Sequence, residues 1–533
     1  MTVRSVILCV LASLTAASTA TAREVEPIAT VDIDENRAIR VNGEPFFPIM
    51  IWLQDPDNFP SARKAGINTV AGYWSGSGGT KDVVEYAERL EEAGFYGVLP
   101  FDERLKGHSA LLAYIHGDEP DLPHLVSDAE IIPSEELRIN KSTPLWRILD
   151  GVTHSWSVLD PLEGAELTIK LDDAVRVKKL AIWLTISKGL AVAKDVSFLV
   201  EGSEEIARAT LRKEKGRQQV DLGTAVTLTE LTFKVHSTYA GEHVWGSISE
   251  IEGFDDAGNN VLLSPPRNVP RKYPDEVQKE YKRIKQADSS RPVFMTLTGH
   301  FDPFFDKWSD QQRETLYPQY IKATDVVGYD IYPIYGWNKP EWLHLVRDAT
   351  AELRRLAGDR PVYAWIETSR GGQYTGALER QKHVLPRHIR AEVWMAVCRG
   401  ATAIGYFTHI WKPAYKQFGV PSENVEAMKQ INDQIAELAP VLLSGPAKMD
   451  ATIELTDGLR GDIMAREHDG WLYLFAVNYD SRQAAGRATI RVEGLRAGTE
   501  VEVVDEGRAI TAGNGTFLDP FAPLAVHIYR MRQ

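Results

Sequence analysis

Cysteine is nearly absent from this chain, with Cys9 and Cys398 the only two in 533 residues. A single thiol past the N-terminal segment cannot close an internal disulfide, so stability has to come from apolar cores. Long hydrophobic runs are also scarce. Beyond the first residues no stretch approaches the roughly 20 apolar positions of a spanning helix, so no membrane span is expected. Positive charge is in deficit, with 60 Lys and Arg against 74 Asp and Glu and a net charge of −14. Phosphate backbones and anionic membranes are held by clustered cations, so nucleic acid drops out as a partner while a neutral carbohydrate polymer does not. The 13 histidines show no HxxxH-type spacing, and neither a metal nor a cofactor is expected.

What is present begins with Arg4, an apolar stretch from Val6 to Leu14 and small residues ending in Ala20-Thr21-Ala22. That is the layout of a cleavable secretory signal over 1–22, and it implies a secreted or periplasmic protein. From Phe46 to Ser444 short β-branched or aromatic runs alternate with amphipathic segments, as in parallel β/α units. Strands are expected at Phe47 to Trp52, Ile67 to Trp74, Tyr96 to Asp102, Leu111 to Glu119, Pro292 to Gly299, Asp325 to Pro333, Pro361 to Thr368 and Ala401 to His409. Helices are expected at Lys81 to Ala93, Asp275 to Ala287, Gln311 to Lys322, Glu341 to Leu356, Arg387 to Arg399 and Glu423 to Leu443. The third unit is short, because only ERLKGHSA separates its strands. Eight such units predict an α/β fold, a (β/α)8 TIM barrel, whose active site lies at the carboxyl ends of the strands. The rival, an open doubly wound sheet, lacks its Gly-rich phosphate loop after the first strand.

Residues 127–263 are instead rich in Val, Leu and Thr with closely spaced turns, which predicts an inserted β-sandwich. After Gly445 short strands return, predicting a C-terminal antiparallel β domain over 445–533. The barrel is thus expected in two parts, 23–126 and 264–444, around the insertion.

Cleaving a glycosidic bond with retention needs two carboxyl groups about 5 to 5.5 Å apart. Glu119 follows strand four in YIHGDEPD, and Glu367 ends strand seven in VYAWIETS. An acid-Pro pair after a strand is in itself often no more than a turn. A Glu ending an apolar strand is harder to dismiss, since an unpaired buried carboxylate is costly. Further strand ends offer Trp52, Tyr73, Trp74, Asp102, His116, His300, Asp330, Tyr332, Trp365, His409 and Trp411 for stacking on sugar faces and binding hydroxyls.

These motifs resemble clan A of the glycoside hydrolases, with an Asn-Glu-Pro-like acid/base after strand four and a nucleophilic Glu at strand seven. The resemblance implies Glu119 as acid/base and Glu367 as nucleophile of a retaining, β-specific glycosidase. It also implies Tyr332, or else Tyr329, as a tyrosine that steadies the nucleophile. Asp118 stands where the clan has Asn and is expected near the sugar 2-position. An Asp-Glu pair is likewise similar to family 20 hexosaminidases, in which the substrate's acetamido oxygen attacks and Asp118 would orient it. A non-catalytic glycan-binding protein is the third alternative. The insertion is similar to discoidin-like, galactose-binding-like domains at Asp150, Gly151, Trp156 and Ser249-Glu250-Ile251. Relatives of that kind often bind glycan, while Trp156, Trp183 and Trp245 read as core residues.

Overall fold

A computed structural model of the protein describes residues 25–75, 81–370 and 377–532. The expected secretory signal at 1–22 lies outside the described residues. The chain divides into two compact units: 1–122 together with 270–533, and 123–269.

The first unit is built on a closed barrel of eight strands. In order these are Ile49–Trp52, Thr69–Ala71, Tyr96–Pro100, Leu111–Ile115, Val293–Thr298, Val326–Asp330, Val362–Glu367 and Ala401–Phe407. Every neighbouring pair is parallel, and strand five closes on strand four. The open-sheet rival is therefore excluded. Helices α1 (Phe59–Lys64), α2 (Val83–Glu92), α3 (Pro274–Ala287), α4 (Asp310–Ile321), α5 (His344–Ala357), α6 (Pro386–Cys398) and α7 (Ser422–Leu442) follow strands in turn. The short α1 has no counterpart among the expected helices, and strands three and four are joined by a 3-10 turn at Glu103–Leu105.

Strand alternation sorts the side chains. Met50, Val98, Phe294, Tyr363, Trp365 and Ala403 fill the interior, while Ile51, Met295, Val327, Ile366 and Ile404 face the helices. Two interior glycines make room for the largest rings. A Cβ on Gly405 would fall 2.2 Å from the Trp365 ring, and one on Gly328 2.2 Å from that of Tyr363. The amino end of the barrel is capped by a meander of Val31–Ile33, Ile39–Val41 and Glu44–Phe46, whose Val31, Ile39 and Val41 join the interior cluster. The Tyr96 hydroxyl donates to the Glu26 carbonyl beneath it at 2.7 Å.

The C-terminal strands form a three-stranded and a five-stranded antiparallel sheet. They belong to the same compact unit as the barrel. Phe475 stacks on Trp394 of α6 at 5.4 Å, and buried Asp462 pairs with Arg347 of α5 and with Arg399 just past α6. Architecture changes near residue 445, but the packing is continuous there.

The second unit is an eight-stranded antiparallel network wrapped round its own apolar core, Leu167, Ile182, Phe198, Phe233 and Ile251 among it. Its long strand Glu166–Leu184 changes register between Lys170 and Val175. One half then pairs with Glu130–Pro133 and the other with Gly246–Phe254. Asp150 and Glu250 converge on the Val152 amide at 2.7 and 2.9 Å, and Gly151 takes a φ of +79°. Burial, then Asp150 beside it, pushes Glu250 up to about 9. Asp150 and Glu250, two of the residues that carried the discoidin resemblance, thus tie the turn at Gly151 to the strand Gly246–Phe254. Trp156 is not a core residue but 43% exposed.

Candidate active site

At the carboxyl end of the barrel strands a narrow recess is lined by Trp52, Asp118, Thr296, Asp330, Tyr332, Trp365 and Phe407. They come from, or just after, six of the eight strands, Asp330 and Tyr332 both from strand six, as expected of a site at this face of a barrel. Trp365 donates its indole N–H to Thr296 Oγ1 at 3.2 Å and meets Trp52 edge-on at 5.4 Å. Tyr332 stacks on Phe407 at 4.9 Å, and Phe407 on Trp411 at 6.0 Å. Trp411 and Tyr415 are 42% and 45% exposed, and Trp74 lies 6.2 Å from Tyr415. The aromatic wall therefore runs from the recess out to solvent.

The loop that carries these two exposed rings is tightly braced. Ile410 and Lys416 exchange main-chain hydrogen bonds, both 2.9 Å. His409 lies with its Nε2 3.1 and 3.0 Å from the Trp52 and Leu53 carbonyls. Burial holds His409 below the usual histidine range, against the pull of those two carbonyls. His409 thus steadies the wall from behind.

The acidic groups in and beside the recess come from two loci. Glu119 sits past strand four with a φ of +47°, a left-handed conformation that is uncommon outside glycine and recurs at functional sites. Its carboxylate lies 3.4 Å from Arg271 Nη2, and the same guanidinium donates to the Asp118 carbonyl at 2.7 Å. Asp121 anchors the turn from below. It accepts from the Thr298 amide at 2.8 Å, the Thr298 hydroxyl at 2.6 Å and the Tyr317 hydroxyl at 2.9 Å. Asp330, at the end of strand six, has the Glu119 carboxyl as a close neighbour. Its Oδ1 is sealed from solvent with no hydrogen-bond partner among the described residues. Burial, then Glu119 and Asp118, hold Asp330 well above the usual carboxylate range. Asp118 is exposed at the rim, yet the protein crowded round its carboxyl, then Glu119, push it up to about 7.

Glu367 has other company. It is fully buried, outside the residues that line the recess. Its two oxygens each accept from the Ile334 amide at 3.0 Å, and one accepts from the Tyr335 amide at 2.5 Å. Its third neighbour is Glu392 of α6. Burial raises Glu367 to about 7 against those hydrogen bonds. The expected facing of Glu119 and Glu367 is thus not among the described contacts: Glu119 meets Asp330, and Glu367 meets Glu392. The groups that hold Glu367 are main-chain amides two and three residues past Tyr332.

Four other expected residues lie outside the recess lining, for reasons of alternation or local bonding. Tyr329 and His116 follow inward-facing Gly328 and Ile115 and so turn outward. The Tyr329 hydroxyl donates to the Val346 carbonyl of α5 at 2.6 Å, and His116 Nε2 lies 2.8 Å from the Ala323 carbonyl with Glu280 of α3 beyond its other nitrogen. Asp102 caps the 3-10 turn and pairs with Arg104 at 2.6 Å. His300 sits edge-on to Phe305 at 5.4 Å, and burial takes it down to about 4. Glu392 escaped sequence reasoning, although a Glu inside the apolar run AEVWMAVC is itself a signal.

No family model matches the sequence, and no curated protein matches it at a significant level. Among solved structures, a family 32 carbohydrate-binding module of NanJ from Clostridium perfringens, in complex with galactose, aligns at 13% identity. It covers 24% of this chain and 98% of its own, with a TM-score of 0.21. An α-amylase from Anoxybacillus aligns at 14% identity over 50% of this chain and 57% of its own, with a TM-score of 0.34. A second, from Geobacillus thermoleovorans in complex with acarbose, gives 15%, 50%, 58% and 0.35. The chain spans little more than half of either amylase, and likenesses this slight carry no argument about activity.

Proposed function

We propose that this protein is a retaining glycoside hydrolase acting at the barrel mouth, with Glu119 as acid/base and Asp330 as the carboxyl that faces it. One observation carries the reading: the Glu119 carboxyl stands beside Asp330, which lines a recess walled by Trp52, Trp365 and Tyr332. Aromatic faces suit the apolar faces of sugars. Two carboxyls in contact leave no room for the water that an inverting pair holds across a gap of about 6.5 to 9.5 Å.

The proton that Asp330 retains meets the first need of the reaction. As a sugar enters, the proton passes from Asp330 to Glu119, and the pair parts round the anomeric carbon. Asp330 then attacks that carbon while Glu119 protonates the leaving oxygen. In the second step Glu119 takes a proton from water, which displaces Asp330 and frees the sugar. Asp118, beside Glu119 at the rim, contacts the sugar 2-position. That proximity also favours a second reading, in which a 2-acetamido group is the nucleophile, Asp118 orients it and Asp330 only binds.

Aryl-glycoside and polysaccharide panels test turnover, and absence of hydrolysis on all of them favours a non-catalytic binder. Azide separates the routes. Rescue of Asp330→Ala with an inverted glycosyl azide supports the covalent path through Asp330. The same rescue in Glu367→Ala alone returns the nucleophile to strand seven. Rescue in neither, with activity confined to 2-acetamido sugars, supports substrate assistance.

The inserted unit extends the reading. One of its recesses is bordered by Trp156, Trp245, Arg138, Asp160 and Lys188, a mix of stacking and hydrogen-bonding groups fit for a glycan. Loss of polysaccharide retention in Trp156→Ala of the full chain, with turnover of an aryl glycoside unchanged, is the expected result.

A further inference from the structure

We infer that Glu392, which no sugar touches, is a positioning residue: its carboxyl donates to Glu367 so that Glu367 can hold the loop bearing Tyr332 and Tyr335 against the mouth. The inference rests on the proposed hydrolytic site for its effect on turnover, but not for its effect on the loop.

Glu392 lies in the run of α6 from Ala391 to Cys398, every residue of it buried. A carboxyl there is costly unless it is partnered. Among the described residues neither of its oxygens has a conventional hydrogen-bond partner, and its polar neighbours are the carboxyl and the main-chain N–H of Glu367. Two carboxylates so buried cannot both be ionised, so one carries a proton and donates it to the other. Glu367 already accepts from two amides, which leaves Glu392 as the donor. Burial, then Glu367, keep Glu392 far above the usual carboxylate range.

The consequence lies in the loop. The Ile334 and Tyr335 amides are pinned to Glu367, and the Tyr335 ring meets Tyr332 at 5.8 Å and Phe407 at 5.3 Å. Tyr332 and Phe407 border the recess that holds Asp330. A chain of contacts thus runs from α6 through Glu392, Glu367 and two amides to the aromatic wall.

Glutamine at 392 keeps a donor; leucine keeps only the volume. In the full chain, hydrogen exchange of the peptide 331–338 in Glu392→Gln is expected to stay within about twofold of the parent, while Glu392→Leu speeds it about tenfold or more. Turnover follows, with kcat/KM down about tenfold in the leucine variant and restored by glutamine. Should Glu392→Leu not fold, Glu367→Gln serves: its amide group opposes one of the two main-chain N–H groups, and the same peptide is expected to lose protection. Parent-like exchange in Glu392→Leu or in Glu367→Gln overturns the inference. So does Glu392→Gln behaving like Glu392→Leu, which marks a packing role alone. Exchange as expected in a protein that hydrolyses nothing upholds the positioning and rejects only the hydrolytic reading.

Discussion

Asp121 offers the clearest numerical forecast. It is buried, and burial raises its carboxyl to about 7 from 3.8 in spite of donors from Thr298 and Tyr317. A carboxyl whose folded value lies above its unfolded value binds the proton more tightly when folded. Its contribution to stability is therefore complete below 3.8 and is lost as pH rises through about 7. At about 1.36 kcal/mol per pH unit, the two units between pH 5 and the folded value remove about 3 kcal/mol. Asp121→Asn replaces the acid by a group that does not titrate. Urea denaturation of the two proteins at pH 5 and pH 8 is the assay. The parent is expected to lose stability over this interval, and the variant to lose about 3 kcal/mol less. Equal losses, or a parent that gains stability with pH, refute the assignment. Because Asp121 also braces the turn that aims Glu119, the variant should lose activity at both pH values.

Other outcomes follow from single contacts. Asp330→Asn removes one of two crowded acids, so turnover should vanish while the melting temperature holds or rises, as for other strained sites; a large fall in melting temperature would argue for a structural Asp330. Gly405→Ala places a methyl 2.2 Å from the Trp365 ring and should cost about 3 kcal/mol or more by chemical denaturation. Asp462→Ala leaves Arg347 and Arg399 without their buried partner and should cost about 3 to 5 kcal/mol. Trp411→Ala should raise KM for oligosaccharides about tenfold and leave that for a short aryl glycoside near the parent value.

Much of the barrel was legible because parallel strands, buried on both faces, read as apolar runs at regular intervals between amphipathic helices. Seven of the strands are shorter than expected by one or more residues at their carboxyl ends, where polar side chains leave the ladder for loops. The site was less legible. Alternation could have turned Tyr329 and His116 outward and kept Asp330 inward, since Gly328 and Asp330 share a face of their strand. Nothing along the chain said that Glu367 would be claimed by the Ile334 and Tyr335 amides, because that depends on how the loop after strand six folds back. The partner of Glu119 likewise depends on which strand end lies across the barrel axis.

Mapping of a trapped glycosyl-enzyme is the most direct test. Protein incubated with an activated 2-fluoroglycoside of the sugar it releases should carry the label on Asp330, and Glu119→Gln should form the adduct yet fail to turn it over. A label on Glu367, or hydrolysis that proceeds undiminished in Asp330→Asn, would contradict the pairing of Glu119 with Asp330.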